Sequence, residues 1–340
     1  MIWGDAKRQT RPTVGLVLGA GGVVGQAYQA GVLAGLERMA RWDPRDADLI
    51  VGTSAGSVTG AVLRVGVPAS DLAAMSVGEK LSRRGGALLE RLMPDSEPLP
   101  VPSMASLIRL WRPPSPALLN RVAHRPWAFR PEVAAMTLLP RGRVDITDRA
   151  RGLHEMVGES WPEGLWICAA RRNDGARVVF GREGSPQATL ASAVLASCAI
   201  PGYFKPVTVD GKEYFDGGVH SVTNADVLRN EGLDVVIVIS SMSASHGHST
   251  GADGFLRWSV HRRMEREIAR LEANGTSVIR LEPGPMARRA MGLRAMDELR
   301  SPRVVEAAYE ETAERVSSDP GFARLGTVAS AASASAAAAV

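Results

Sequence analysis

The sequence predicts an α/β fold built on a mainly parallel sheet. Three observations carry that reading. The apolar run Val14–Leu18 ends in a glycine-rich turn, Gly19-Ala20-Gly21-Gly22. A helix-patterned segment follows. A second apolar run at 47–51 then ends in Gly52-Thr53-Ser54-Ala55-Gly56, ahead of another helix-compatible stretch. Strand, helix, strand, turn and helix in that order imply parallel strands joined by right-handed crossovers. Both glycine turns follow strands, so they open at the same edge of the sheet, where the active sites of such folds lie.

The elements read in order as follows. Residues 26–42 form a helix whose apolar side is Ala27, Ala30, Leu33, Ala34 and Leu36, with Glu37, Arg38 and Arg41 on the polar side. Residues 49–51 are the second strand and 57–63 belong to the second helix. The stretch 84–131 has a different composition. Pro94, Pro98, Pro100, Pro102, Pro113, Pro114 and Pro116 interrupt it, and Leu88, Leu89, Leu92, Met93, Leu107, Ile108, Leu110 and Trp111 stand between them. It reads as an irregular insertion, either a connection packed on the domain or a lid over the site.

Regular structure resumes after Trp161. Residues 165–169 and 176–180 are strands around the Asn173-Asp174-Gly175 turn. Leu190–Cys198 is a short helix stopped by Pro201. Residues 207–209 and 213–215 flank Asp210-Gly211 as a hairpin. Residues 235–240 and 278–281 are buried strands, and 255–273 and 303–316 are helices. The domain is expected over 13–326, with an N-terminal extension at 1–12 and an Ala/Ser-rich tail at 327–340, disordered or weakly helical.

Composition bounds the function. The 340 residues are enough for one large domain with an insertion, and an apolar content of 45% is ordinary for a globular protein. The net charge is +4, and nearly every cation is Arg; Lys occurs only at Lys7, Lys80, Lys205 and Lys212. The densest cluster, Arg257, Arg262, Arg263, Arg266 and Arg270, is interleaved with Glu265, Glu267 and Glu272, which reads as a solvated, salt-bridged helix face. Aromatic residues are not interleaved with these arginines, which argues against nucleic-acid binding. Cys168 and Cys198 lie in apolar stretches without metal-ligand spacing and read as small buried hydrophobes, which suits a reducing setting. No apolar segment is long enough to span a bilayer, and the N-terminus lacks the apolar centre of a signal peptide. No carboxylate or histidine cluster has ligand spacing, so neither a metal nor a cofactor is expected.

Ser54 carries the chemistry. A serine flanked by glycines between a strand and a helix is a nucleophile elbow. The glycines permit a cramped turn, the hydroxyl projects from it, and the helix N-terminus favours negative charge beside it. The alternative is a tight turn whose serine caps the helix. A nucleophilic serine needs a base within hydrogen-bond reach. The chain has His124, His154, His220, His246, His248 and His261, and none stands in an obvious strand-end context with an acid. Asp216, after Tyr214-Phe215 and before Gly217-Gly218, is the best candidate if the base is not a histidine; it also reads as an ordinary turn aspartate.

Together these motifs resemble the patatin-like phospholipase family. The order is Gly19-Ala20-Gly21-Gly22 with Gly25, then Gly52-Thr53-Ser54-Ala55-Gly56, then Asp216-Gly217-Gly218. Ala196-Ser197-Cys198-Ala199-Ile200-Pro201-Gly202-Tyr203-Phe204-Lys205-Pro206 resembles the segment that precedes the family's catalytic aspartate. Asp216 through Asp226 resembles the segment that carries it. The resemblance covers about residues 13–66 and 160–242. It implies a three-layer α/β/α sandwich and a Ser–Asp dyad acting on acyl esters of lipids. Ser54 would be the nucleophile and Asp216 the base. The backbone N–H groups around Gly21, Gly22 and Val23 would form the oxyanion hole. The implied partner is a phospholipid or another acyl-ester lipid, met by a cytoplasmic protein at a membrane periphery. Two departures stand out. Val24 occupies a place where the family usually has Arg or Lys, and Gln26 lengthens the step to Ala30-Gly31 by one residue. The rival readings are an α/β-hydrolase esterase with a histidine base, such as His246 or His248, an acyltransferase on a related fold, and a non-catalytic lipid-binding relative.

Overall fold

The computed structural model describes residues 12–92, 120, 124, 142, 144–244, 252–322 and 325. Its strands are β1 (Val14–Leu18), β2 (Leu49–Thr53), β3 (Leu165–Arg171), β4 (Arg177–Phe180), β5 (Val207–Val209), β6 (Lys212–Asp216), β7 (Val235–Ile239) and β8 (Ser277–Leu281). Its helices are α1 (Gly22–Met39), α2 (Ala55–Val65), α3 (Ala69–Val77), α4 (Arg83–Leu92), α5 (Arg151–Val157), α6 (Leu190–Cys198), α7 (Ala252–Glu272), α8 (Pro285–Met291) and α9 (Ser301–Ser318). The strands form one sheet in the order β5-β6-β3-β2-β1-β7-β8, with β4 paired to β3 off that path. The pairs from β3 through β2, β1 and β7 to β8 are parallel, and β4, β5 and β6 pair antiparallel.

Strand alternation sends successive side chains to opposite faces. Leu16, Leu18, Ile50, Ile167, Ile237 and Ile239 enter one core, with Leu33, Leu36, Leu63, Val194 and Val304 from α1, α2, α6 and α9. Val17, Val51, Trp166, Cys168, Val236 and Val238 enter the other, with Met264, Ile268 and Leu271 from α7. Both faces of the sheet are therefore covered. That is why β1, β2 and β7 read as continuous apolar runs rather than alternating ones. The architecture is the expected three-layer α/β/α sandwich.

Some expected boundaries move. The first helix begins at Gly22, not at residue 26, so the glycine turn supplies its first turn. The stretch 84–131 is not irregular at its start. It opens as α4, with Leu89 and Leu92 buried and Leu88 packed against the same core. Buried Asp71 anchors this helix by accepting from Ser82 N–H at 2.7 Å and Ser82 Oγ at 2.5 Å, and Ser82 Oγ accepts Gly85 N–H at 3.0 Å. This part of the stretch is thus packed on the domain; the Pro-rich remainder apart from residues 120 and 124, residues 1–11 of the extension and the whole tail at 327–340 lie outside the described residues. Helices α5 and α8 were not apparent from the sequence, being seven residues each and too short to display a helical period. Cys168 is buried and Cys198 half-buried, both as free thiols. No helix among the described residues is long and apolar enough to cross a membrane.

Candidate active site

Ser54 joins β2 to α2 with φ 53° and ψ −121°, a left-handed conformation rare for a residue with a side chain. Such a conformation costs about 1–3 kcal/mol and persists only where its surroundings enforce it. The enforcement is visible. Gly56 lies directly on the Leu18 backbone, and a β-carbon there would clash with the Leu18 carbonyl. Ser54 N–H donates to Ser197 Oγ at 2.8 Å, and that hydroxyl donates to the Cys168 carbonyl at 2.7 Å. The Ser54 carbonyl accepts from Ser57 N–H at 2.8 Å and Ser57 Oγ at 2.7 Å.

The sheet brings Asp216 to this turn. Thr53 at the end of β2 is level with Cys168 of β3, and Asp216 at the end of β6 is level with Ala169. Successive residues of β3 thus hold the two strand ends together. The Asp216 carboxylate accepts Gly218 N–H at 2.7 Å, and the Ser54 side chain lies close enough to it to favour its ionised form. Ser54 and Asp216 are 6% and 5% exposed. Burial raises the Asp216 pKa from 3.8 to about 6, against the opposing effects of the Ser54 side chain and the Gly218 N–H.

The first glycine turn faces the same edge. Gly19 N–H donates to the Ile239 carbonyl at 3.0 Å, and Ala20 N–H to the Val222 carbonyl at 2.9 Å. Ser241 Oγ donates to the Ala20 carbonyl at 3.0 Å. Further on, Val24 N–H donates to the Ala295 carbonyl at 3.0 Å and Gly25 N–H to Gly21 at 3.0 Å. Between them, the N–H groups of Gly21, Gly22 and Val23 have no backbone acceptor among the described residues, and Gly22 and Val23 are half-exposed. These are free donors at the start of an 18-residue helix, where negative charge is favoured. Val24, at the place where the family usually has a cation, is 2% exposed and part of the core. The helix therefore turns this position inward, and the loop is supported by Ser241 and Ala295 instead.

Four supporting residues escaped the sequence reading. Ser197 stands in the segment 196–206 with nothing in the local pattern to mark it as a support. Gln29 is fully buried; its Nε2 donates to the Gly19 carbonyl at 2.6 Å, and its Oε1 accepts from Thr59 at 2.9 Å, so it ties the two glycine turns together. A glutamine on the apolar side of a predicted helix was the available signal. Asn224, with φ 52°, donates to the Ser221 carbonyl at 2.6 Å and to Thr53 Oγ1 at 3.1 Å. Glu267 corrects the reading of α7 as a wholly solvated face. It is 4% exposed and accepts from Ser221 Oγ at 2.6 Å, Thr223 Oγ1 at 2.6 Å and Ala225 N–H at 2.9 Å. That clamp fixes the chain just after Asp216-Gly217-Gly218. Asp226 is held by Arg177 at 2.5 Å and Arg270 at 3.1 Å.

The described histidines stand in other settings. His154 is exposed, His261 pairs with Glu282 at 3.0 Å, His124 bonds the Asn120 carbonyl, and His220 interacts electrostatically with Asp226. His246 and His248 lie outside the described residues. No metal-binding cluster of His, Cys, Asp or Glu occurs among the described residues.

A family model for patatin-like phospholipase matches residues 16–229, more than half of the chain. Solved structures are similar at low identity. VipD from Legionella pneumophila is 14% identical with a TM-score of 0.43, over 91% of this chain and 67% of that one. The type III effector protein ExoU is 15% identical with a TM-score of 0.37, over 90% of this chain and 53% of that one. The ExoU–SpcU complex of the Pseudomonas aeruginosa type III secretion system gives 18% identity and a TM-score of 0.32, over 91% of this chain and 52% of that one. The chain thus spans about two thirds of the first structure and about half of the others.

Proposed function

The chain belongs to the patatin-like phospholipase family, and from that premise we propose that it is a serine acyl hydrolase using Ser54 and Asp216 on a phospholipid or related lipid ester. The observation that carries the reading is the buried Asp216 carboxylate brought by the β3 pairings to the turn where Ser54 is held in an elbow conformation. Membership of the family supports lipid ester hydrolysis in general; the assignment of the two residues rests on their geometry.

In this mechanism Asp216 accepts the Ser54 proton as Oγ attacks the ester carbonyl carbon. The carbonyl π electrons move to its oxygen, which becomes the oxyanion of a tetrahedral intermediate. The N–H groups of Gly21, Gly22 and Val23 donate to it, and each such donor is typically worth about 3 kcal/mol of barrier. Collapse breaks the bond to the leaving alkoxide, which takes the proton from Asp216, and leaves an acyl-Ser54 ester. Asp216 then accepts a proton from water as the water oxygen attacks that ester; the second tetrahedral intermediate collapses by breaking the bond to Ser54 Oγ, which takes the proton back from Asp216, and the fatty acid leaves. A base that is protonated below about pH 6 and ionised above it suits this double role near neutrality.

The test is hydrolysis of a p-nitrophenyl acyl ester series by wild type, Ser54→Ala and Asp216→Asn, with circular dichroism to establish that each is folded. Loss of activity in both variants is expected. Clear wild-type activity that survives Asp216→Asn would remove the dyad and return the choice to a histidine base.

A further inference from the structure

We propose that the loop between α8 and α9, residues 292–300, is the surface by which this protein rests on an anionic phospholipid bilayer, seating the site on its substrate. The inference rests on the proposed lipid substrate. The loop touches the predicted oxyanion hole directly. Its Ala295 carbonyl accepts Val24 N–H at 3.0 Å, and a β-carbon on Gly22 would lie 2.7 Å from that carbonyl and 2.9 Å from Met296 Sδ. On either side of this contact stand Leu293 and Leu299, 81% and 92% exposed, the two most exposed large apolar residues described.

The leucines are held out by structure. Glu311 accepts the N–H groups of Gly284, Met286 and Ala287 at 2.8, 2.8 and 3.2 Å, fixing the start of α8. Arg300 closes the loop by donating to the Ala290 carbonyl at 3.1 Å and to Asp297 at 3.0 Å. Exposed Arg289, Arg294 and Arg303 flank the leucines in the chain and outnumber the exposed acid Glu298, and none of the three has a carboxylate partner among the described residues.

This chemistry selects the occupant. A stable protein partner needs a contiguous patch of about 800 Å² per side. Here the two exposed leucines are separated in the chain, and exposed arginines stand on both sides of them in sequence. A bilayer interface accepts isolated protruding apolar chains, and its phosphates attract arginine. Burying each leucine contributes about tenfold in partitioning, and each arginine about fivefold.

The experiment is flotation of the Ser54→Ala protein, which spares the lipid, with vesicles of phosphatidylcholine alone or with phosphatidylglycerol at low salt. Binding that depends on phosphatidylglycerol is expected. Leu293→Ser with Leu299→Ser should weaken it about 100-fold, and Arg289→Gln with Arg294→Gln should remove most of the dependence on anionic lipid. Unchanged melting temperatures would show that the variants are folded. In a background with Ser54 intact, the same substitutions should spare hydrolysis of a soluble short-chain ester and reduce hydrolysis of vesicle lipid. Vesicle binding untouched by both pairs overturns the proposal, as does no vesicle binding by the parent. A change in oligomeric mass on altering the leucines, without vesicle binding, would instead assign the loop to a protein contact and also overturn it. Absence of any ester hydrolysis alongside loop-dependent flotation would defeat the catalytic reading and leave the membrane surface standing.

Discussion

The raised Asp216 pKa makes two linked predictions, one for rate and one for stability. With a pKa of about 6, the carboxylate at pH 4 is about 1% ionised. If Asp216 is the base, kcat/KM for a soluble ester should rise about 100-fold from pH 4 to pH 8 along one limb centred near 6. An aspartate at the ordinary 3.8 would already be more than half ionised at pH 4, and the same span would gain less than about twofold. The stability effect has the opposite sense. Because the folded pKa lies above the unfolded one, this group's contribution is fully present below about pH 3.8 and is lost as pH rises through about 6. A shift of that size corresponds to about 3 kcal/mol. Asp216→Asn keeps the shape and the Gly218 contact without the buried charge. It should therefore be inactive, yet more stable than wild type at pH 8 by about 1–3 kcal/mol, with the difference vanishing towards pH 4. The assay pairs a pH–rate profile with urea denaturation of both proteins at pH 4, 6 and 8. A pH-independent kcat/KM from 4 to 8, or an Asp216→Asn protein less stable than wild type at pH 8, would refute the reasoning.

Other substitutions probe the supports. Ser197→Ala leaves the Ser54 N–H and the Cys168 carbonyl without their shared partner, and should cost about 2–4 kcal/mol in urea denaturation and lower kcat more than it changes KM. Gln29→Leu removes the tie between the glycine turns; a loss of about 1–3 kcal/mol and a reduced kcat are expected by the same assays, and full activity would show that the tie is dispensable. Gly56→Ala drives a methyl into the Leu18 backbone, so soluble folded protein should not be recovered on expression. Val24→Arg forces a guanidinium into the core and should lower the melting temperature without improving ester hydrolysis.

Much of this protein was legible in its chain. The apolar runs of β1, β2 and β7, the two glycine turns and the span of α6 follow from strand burial, turn chemistry and helical period, all of which act over a few residues. Ser54 announced itself for the same reason, because glycines stand two residues away on either side, at Gly52 and Gly56. Asp216 was legible as a candidate, but its place at the Ser54 turn depends on the pairings of β3, which set the ends of β2 and β6 on successive residues. Gln29, Ser197, Asn224 and Glu267 were not legible as supports. Each acts on a backbone group or side chain 10 to 171 residues away, and nothing in the local pattern records such a partner. The same holds for Val24, a departure from the family in the chain but a core residue in the fold. Local propensity and patterning, set by neighbours in sequence, determined the elements and the candidate nucleophile. The burial that raises the Asp216 pKa and the clamp that holds its loop arise from segments distant in the chain, so only the tertiary structure decided them.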